Sequence, residues 1–363
     1  MNNRKSKTER NQQINLPNFF ELGKNILDIY KILIQKKIFC KKILILGDDK
    51  TFRIGGNRIT KILQQNGINV IKEVIRKSDE NTVRKIVKII QIKKPDVLIG
   101  FGGGKTLDVA KLAAGMNDIK FISIPTILSN DGIASPVAVI TDKNGIPISH
   151  ITKPPYGIIV DYNVIKRAPI RHLRAGVGDL ISNLSAVFDC RLAIKKGREN
   201  IQPELLKLAE AGPKNLLRLR TRNVKSEKFL KCLCDGLIKS GLAMCLAGSS
   251  RPASGGEHKI SHSLDYLFPL RNALHGEQVG IATILTMALQ KNPYLNAVKR
   301  FYKEIKFPFK LSCLNINDDK FIEAVKFAKN IRPWRYTILE EKEFDENKLR
   351  NLIKKFYKED DKK

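Results

Sequence analysis

Acidic residues are scarce in this chain of 363: 36 aspartates and glutamates stand against 66 lysines and arginines, for a formal net charge of +30. Such a balance favours anionic partners. Yet the chain has no long basic block and no aromatic residues interleaved with its cations. Both would be needed to track a phosphate backbone and stack its bases, so the distribution argues against nucleic acid as the main partner. The positive field instead raises the local concentration of small anionic substrates. A basic nucleic-acid-binding module on an inactive enzyme scaffold stays as the rival from a different class.

The six cysteines, at positions 40, 190, 232, 234, 245 and 313, form no CxxC pair and no regular framework. That excludes a disulfide scaffold and fits a reduced, cytoplasmic protein in which they serve as small buried apolar residues. No apolar run approaches the roughly 18 residues that a membrane helix requires, so no membrane insertion is expected. The opening MNNRKSKTERNQQIN has no apolar stretch behind its basic residues. Residues 1–18 therefore read as a disordered basic tail, neither signal nor anchor.

Two common nucleotide motifs are also missing. A P-loop would need glycine at 99, where Ile99 stands, and the GxGxxG fingerprint would need glycine at 105, where Lys105 stands. What is present is PDVLIGFGGGKTLDVAKLAAG, a strand that runs into Gly100, Gly102, Gly103 and Gly104 and then a helix. Side chains are absent where the backbone turns, so its amides and the helix N-terminus can hold a diphosphate. The alternative is a plain tight turn.

The length predicts two domains. Residues 19–165 alternate β-rich runs with helical ones, the pattern of a parallel sheet flanked by helices: an α/β, Rossmann-like nucleotide-binding domain. Strands are predicted at 41–49 (the first clear one), 68–75, 95–102 and 121–126, then in SPVAVITD and YGIIVDYN; helices are predicted at 51–66 and 79–94. The glycine cluster thus follows the third predicted strand. Over 166–363 the β signal disappears, and helices are predicted at 179–197, 203–219, 226–248, 256–267, 276–290, 294–305, 318–331 and 344–357. The loop ILSNDGIASP, after strand 121–126, offers Thr126, Ser129, Asp131 and Ser135 as ligand contacts at the C-terminal edge of a parallel sheet, or as ordinary turn chemistry.

Three of the five histidines lie in SSRPASGGEHKISHSLDYLFPLRNALHGEQ, residues 249–278. His258 and His262 are four apart on a predicted helix, so both imidazoles project from one face about 6 Å apart. His275 follows a break at Pro269. The spacing suits a metal site built from two segments, and equally an ordinary pair of hydrogen-bonded histidines. Glu257 precedes His258, which gives EHxxxH and excludes the HExxH protease arrangement.

Taken in order, GFGGGKTLDVAK, SIPTILSNDGIASP, AGVGDLISN, SSRPASGGEHKISHSLD, ALHGEQVG and RPWRYTIL resemble the archaeal sn-glycerol-1-phosphate dehydrogenases, within the superfamily of iron-containing alcohol dehydrogenases, glycerol dehydrogenases and 3-dehydroquinate synthases. The resemblance spans about residues 16–340. It implies an α/β domain, an all-helical domain, an active site in the cleft between them and a homo-oligomer. It implies Zn2+ on Asp179, His258 and His275, a set that leaves coordination open for substrate. It places His262 and Asp131 as catalytic residues against the substrate, with Asp179 beside them. NAD(H) or NADP(H) is implied at Gly102, Gly103, Gly104, Lys105, Thr106, Asp108, Thr126, Ser129 and Ser135, with Asp48 facing a ribose hydroxyl. The implied reaction is reversible reduction of dihydroxyacetone phosphate to sn-glycerol 1-phosphate, the glycerophosphate of archaeal ether lipids. A glycerol or polyol dehydrogenase is the alternative, and 3-dehydroquinate synthase a further one. Asn130 departs from the histidine of many relatives. Arg251 and Lys259, which flank the histidines, are the expected holders of the substrate phosphate.

Overall fold

The computed structural model describes residues 15–268, 273–341, 343 and 345–358. Most of the basic tail and the Pro269 break lie outside these residues. Six parallel strands form one sheet in the order β1-β8-β5-β4-β2-β3, where β1 is Phe19–Gly23, β2 Lys42–Gly47, β3 Asn69–Val74, β4 Val97–Gly102, β5 Lys120–Pro125 and β8 Gly157–Asp161. A separate antiparallel pair joins β6, Val137–Thr141, to β7, Pro147–Ile151.

The central strands are apolar throughout because both faces are covered. Leu44, Leu46, Leu98, Phe121, Ile158 and Val160 point to one face, while Ile43, Ile45, Ile99, Ile122, Ile124 and Ile159 point to the other. The second face is closed by helices α1, Ile29–Gln35, and α2, Asn57–Gln65, through Ile29, Leu33, Ile59 and Leu63. Against the first lie α3, Glu80–Lys93, and α4, Gly104–Asn117. That core continues without a break into the helical part of the chain, through Leu173, Val177, Leu180 and Ile181.

The helical part begins with the longest helix, α5, Ile170–Lys195, followed by α6, Pro203–Arg218, α7, Glu227–Ala247, α8, Gly256–Leu267, and α9, His275–Gln290. Next come α10, Leu295–Glu304, and α11, Asp318–Phe327. Among the described residues no helix is long and apolar enough to cross a membrane.

Three expectations need correction. The first strand is β1, not the run at 41–49, so the glycine turn follows the fourth strand and not the third. Strand β7 was not anticipated, although Asn144-Gly145 is a hairpin signal and Gly145 takes φ +82°. Helix α5 starts at Ile170, nine residues before the predicted start, which puts Asp179 in the middle of a buried helix. Gly176 and Gly178 look like helix breakers in the sequence. In the fold they let α5 pack closely: a Cβ on Gly176 would lie 2.0 Å from the Leu128 carbonyl oxygen, and one on Gly178 2.1 Å from that of Gly276.

Candidate active site

Close packing creates the site. Helices α5 and α9 cross at glycine: a Cβ on Gly276 would lie 1.9 Å from the carbonyl oxygen of Ala175. The crossing brings Asp179 on α5 beside His275 at the first position of α9, and α8 adds His258. One donor atom from each of Asp179, His258 and His275 lies within 4.8 Å of the others. Asp179 Oδ1 stands 3.9 Å from His258 Nε2 and 3.7 Å from His275 Nε2. These gaps are too wide for hydrogen bonds. They approach the roughly 3.3 Å donor spacing of tetrahedral ligation at about 2.0–2.1 Å.

The electrostatics also fit a cation. Asp179 is 4% exposed, and Oδ2 accepts the backbone N–H of Asp131 at 2.9 Å. Burial, and then the neighbouring Asp131 carboxylate, push its pKa well above the usual range. A buried carboxylate beside a second one is costly unless a positive charge joins it. On the other side, His258 Nδ1 lies 2.9 Å from Oε1 of the fully buried Glu257. That contact orients the ring so that Nε2 faces Asp179, the carboxylate–histidine pairing common at metal centres. Replacing Glu257 with glutamine is expected to weaken divalent-cation binding about 10- to 100-fold. Isothermal titration of the metal-stripped protein checks this.

His262, one turn along α8, has its ring centroid 6.5 Å from that of His258 and 6.2 Å from that of His275. The three imidazoles therefore share one surface. Burial, followed by the Arg332 guanidinium, holds the His262 pKa well below the usual histidine value. Asp131 sits on a single 3-10 turn, Asp131–Ile133, where its Oδ2 accepts from Ser240 Oγ at 2.7 Å. The buried Lys111 donates to the carbonyls of Gly132 and Val137, both at 2.6 Å, and fastens this loop to α4.

The glycine turn lies at the C-terminal edge of the same sheet. Gly103 caps α4, and Gly102 has no room for a side chain, since a Cβ there would lie 2.6 Å from Thr106. Thr126 N–H donates to the Gly102 carbonyl at 2.9 Å, which joins the turn to the Asp131 loop. Ser135 is buried and its N–H donates to the Asp131 carbonyl at 3.0 Å; Lys105 is exposed and Ser129 half-buried. A Cβ on Gly104 would lie 3.6 Å from Asn130 Nδ2. Asp108 faces Lys111 at 3.8 Å, and burial pushes its carboxyl up to about 6. Asp48 Oδ1 caps the turn after β2, accepting from Thr51 N–H at 2.7 Å.

The chain is 35% identical to the glycerol-1-phosphate dehydrogenase [NAD(P)+] of Methanosphaera stadtmanae, over 95% of this chain and 98% of that one. With the enzyme of the same name from Thermococcus sibiricus it shares 39% identity, over 89% of this chain and 92% of the other. It belongs to the glycerol-1-phosphate dehydrogenase family. As a member it is an NAD(P)-dependent oxidoreductase acting on a CH–OH group. Residues 21–169 also match the iron-containing alcohol dehydrogenase family model. Among solved structures, glycerol dehydrogenase from Schizosaccharomyces pombe aligns with a TM-score of 0.78 at 23% identity, covering 94% of this chain and 89% of that one. A probable glycerol dehydrogenase from Sinorhizobium meliloti aligns at 0.77 and 23%, covering 94% and 97%. These two show that the fold is shared.

In this dehydrogenase the expected phosphate holders are structural. Arg251 is 1% exposed, with Nε 2.8 Å from Glu199 and Nη2 donating to the carbonyls of Asp189, at 3.0 Å, and Tyr336. Lys259, equally buried, is paired with Glu340 at 2.5 Å and donates to the Arg335 carbonyl at 3.2 Å. Both side chains point away from solvent and grip the segment 335–340. The cations that act on His262 are Arg332 and, more weakly, Arg335, both anticipated only as part of the RPWRYTIL motif.

Proposed function

We propose that this dehydrogenase reduces the C2 ketone of dihydroxyacetone phosphate to sn-glycerol 1-phosphate with NADH or NADPH, and catalyses the reverse oxidation. The observation that carries the reading is the Asp179–His258–His275 donor set, placed beside the loop that links it to the glycine turn. The relatives' name supplies the substrate. A glycerol dehydrogenase would have the same frame, as the two solved neighbours illustrate.

A Zn2+ ion held by Asp179, His258 and His275 supplies a Lewis acid for a carbonyl oxygen. NAD(P)H supplies the hydride, held at Gly102, Gly103, Gly104, Lys105 and Thr106, with Thr126, Ser129 and Ser135 along the adjoining loop. Asp48 accepts from the ribose, and Asp108 braces the loop through Lys111. His262, neutral near pH 7, hydrogen-bonds the substrate and relays a proton from solvent to the C2 oxygen, taking one up at one ring nitrogen as it gives one from the other. Asp131, steadied by Ser240, accepts from a substrate hydroxyl. Buried side chains around Asp179 exclude water, which strengthens each of these contacts. As in the resemblance that first suggested it, the enzyme would act as a homo-oligomer in the cytoplasm, supplying glycerophosphate for ether lipids.

The test compares reduced-nicotinamide oxidation with dihydroxyacetone phosphate and with dihydroxyacetone, and resolves the product's enantiomer. The phosphorylated ketone is expected to give a kcat/KM roughly 10- to 150-fold higher, and sn-glycerol 1-phosphate as product, because a charge-assisted phosphate contact is worth about 1.5–3 kcal/mol. Equal use of dihydroxyacetone would support the polyol reading instead.

A further inference from the structure

Arg332 stands out on several independent grounds. It has φ +49°, in the left-handed region, although it carries a full side chain and precedes Pro333. A residue before proline is already restricted, and strain of this kind persists where the surroundings enforce it. The surroundings here do so. Arg251 and Lys259 hold the carbonyls of Tyr336 and Arg335, the Ile338 N–H donates to the buried Asp189 at 2.9 Å, and Arg335 donates to the Ser254 carbonyl and Ser250 Oγ, both at 2.9 Å.

The guanidinium that this segment presents spans two parts of the fold. Arg332 Nη2 donates to Ser149 Oγ on β7 at 3.0 Å, and Nη1 lies 3.4 Å from Ser254 Oγ, just before α8. Among the described residues, its contacts are hydroxyls and no carboxylate lies within ion-pairing distance. Arg335 is its cationic neighbour, and His262 feels Arg332 more strongly than it feels either other site imidazole. A partly buried guanidinium framed by two serine hydroxyls, next to a second guanidinium and without a counter-ion, is a receptor for a dianionic phosphate.

We propose that Arg332, with Ser149 and Ser254, holds the phosphate of the phosphorylated ketone while its carbonyl faces His262 and the Asp179–His258–His275 set. The proposal rests on the function proposed above. Arg251 and Lys259 then act as positioning residues that fix the backbone carrying Arg332.

The first readout is the ratio of kcat/KM for dihydroxyacetone phosphate to that for dihydroxyacetone. Arg332→Ala is expected to lower this ratio roughly 30- to 100-fold, the worth of charge-assisted hydrogen bonds. Arg332→Lys, which keeps the charge and loses the planar fork, is expected to lower it roughly tenfold. Equal loss on both ketones would mean a structural role and overturn the proposal. A selective rise in KM for NADPH over NADH would assign the site to the cofactor's 2′-phosphate and overturn it too. The second readout needs no turnover. Trp334, the only tryptophan, is 78% exposed and two residues from Arg332. Inorganic phosphate is expected to change its emission saturably in the wild type, and at least roughly tenfold more weakly in Arg332→Ala and Arg332→Lys. If the wild type does not prefer the phosphorylated ketone, the proposed function fails, and this titration still decides the phosphate site: dependence on Arg332 sustains it, and an identical response in wild type and variants removes it.

Discussion

Asp179→Asn is expected to abolish tight divalent-cation binding and to lower kcat/KM for ketone reduction by about 10²- to 10³-fold, the scale lost when the electrostatic stabiliser of a developing oxyanion is removed. Asparagine keeps the shape and can still accept the Asp131 N–H. It removes the single negative charge of the donor set, and an amide is a poor ligand for zinc. Stability should move the other way. Burial and the Asp131 carboxylate raise the Asp179 pKa, so near neutral pH the ionised side chain is a cost to the metal-free fold. The metal-free variant is therefore expected to melt no lower than the metal-free wild type. Loss of activity accompanied by a lower metal-free melting temperature would indicate that Asp179 is a packing residue.

Gly276→Ala is expected to be the most disruptive single-methyl change near the site, costing about 3 kcal/mol or more, at or beyond the upper end for overpacking. Its Cβ would lie 1.9 Å from the Ala175 carbonyl oxygen and 3.0 Å from the Ala175 Cα. The obstacle is backbone, which no rotamer change relieves. Moving α9 away from α5 would also separate His275 from Asp179, so cation affinity should fall together with stability. Gly145→Ala serves as the comparison. That glycine has φ +82°, and a methyl group there would meet nothing within 4 Å. Its replacement is expected to cost only about 1 kcal/mol of backbone strain and to leave cation binding intact. Thermal melts with metal titration of both variants check the pair.

The sheet and most helices were legible because they rest on local periodicity. Helix α8 was read with the bounds it has, Gly256–Leu267, and the four-residue spacing of His258 and His262 gave the ring separation that the fold shows, 6.5 Å. What was misread depends on distant partners. Strand β1 is short, lies at the sheet edge and owes its pairing to β8 far along the chain. Gly176 and Gly178 carry the local mark of a break, but the approach of α9 makes them an asset to the helix. The role given to Asp179 came from the resemblance alone; the misplaced helix start set it at a helix end, whereas the fold sets it in the middle of a buried helix, where an ionised carboxylate is costly without a positive charge beside it.

The candidate site divides in the same way. The three histidines cluster within residues 249–278 and the glycines within 100–104; spacing marked both stretches and left their chemistry open, and the assignment came from the resemblance. Arg251 and Lys259 lie close to the histidines in sequence, yet Arg251 stands on the turn before α8 and Lys259 on another side of that helix, and these two face Glu199, Glu340 and backbone carbonyls. Arg332 lies some seventy residues downstream of the histidines; RPWRYTIL entered only as part of the resemblance, and no local pattern gave this arginine a role.

The dependence of turnover on the Asp179–His258–His275 site is tested most directly by one measurement: cation content and reduced-nicotinamide oxidation with dihydroxyacetone phosphate, followed on a single preparation as isolated, after chelation and after zinc is restored. The expected result is one bound divalent cation per chain, loss of turnover when it is removed and recovery as one equivalent returns. Full turnover after chelation, with no cation bound, would contradict it.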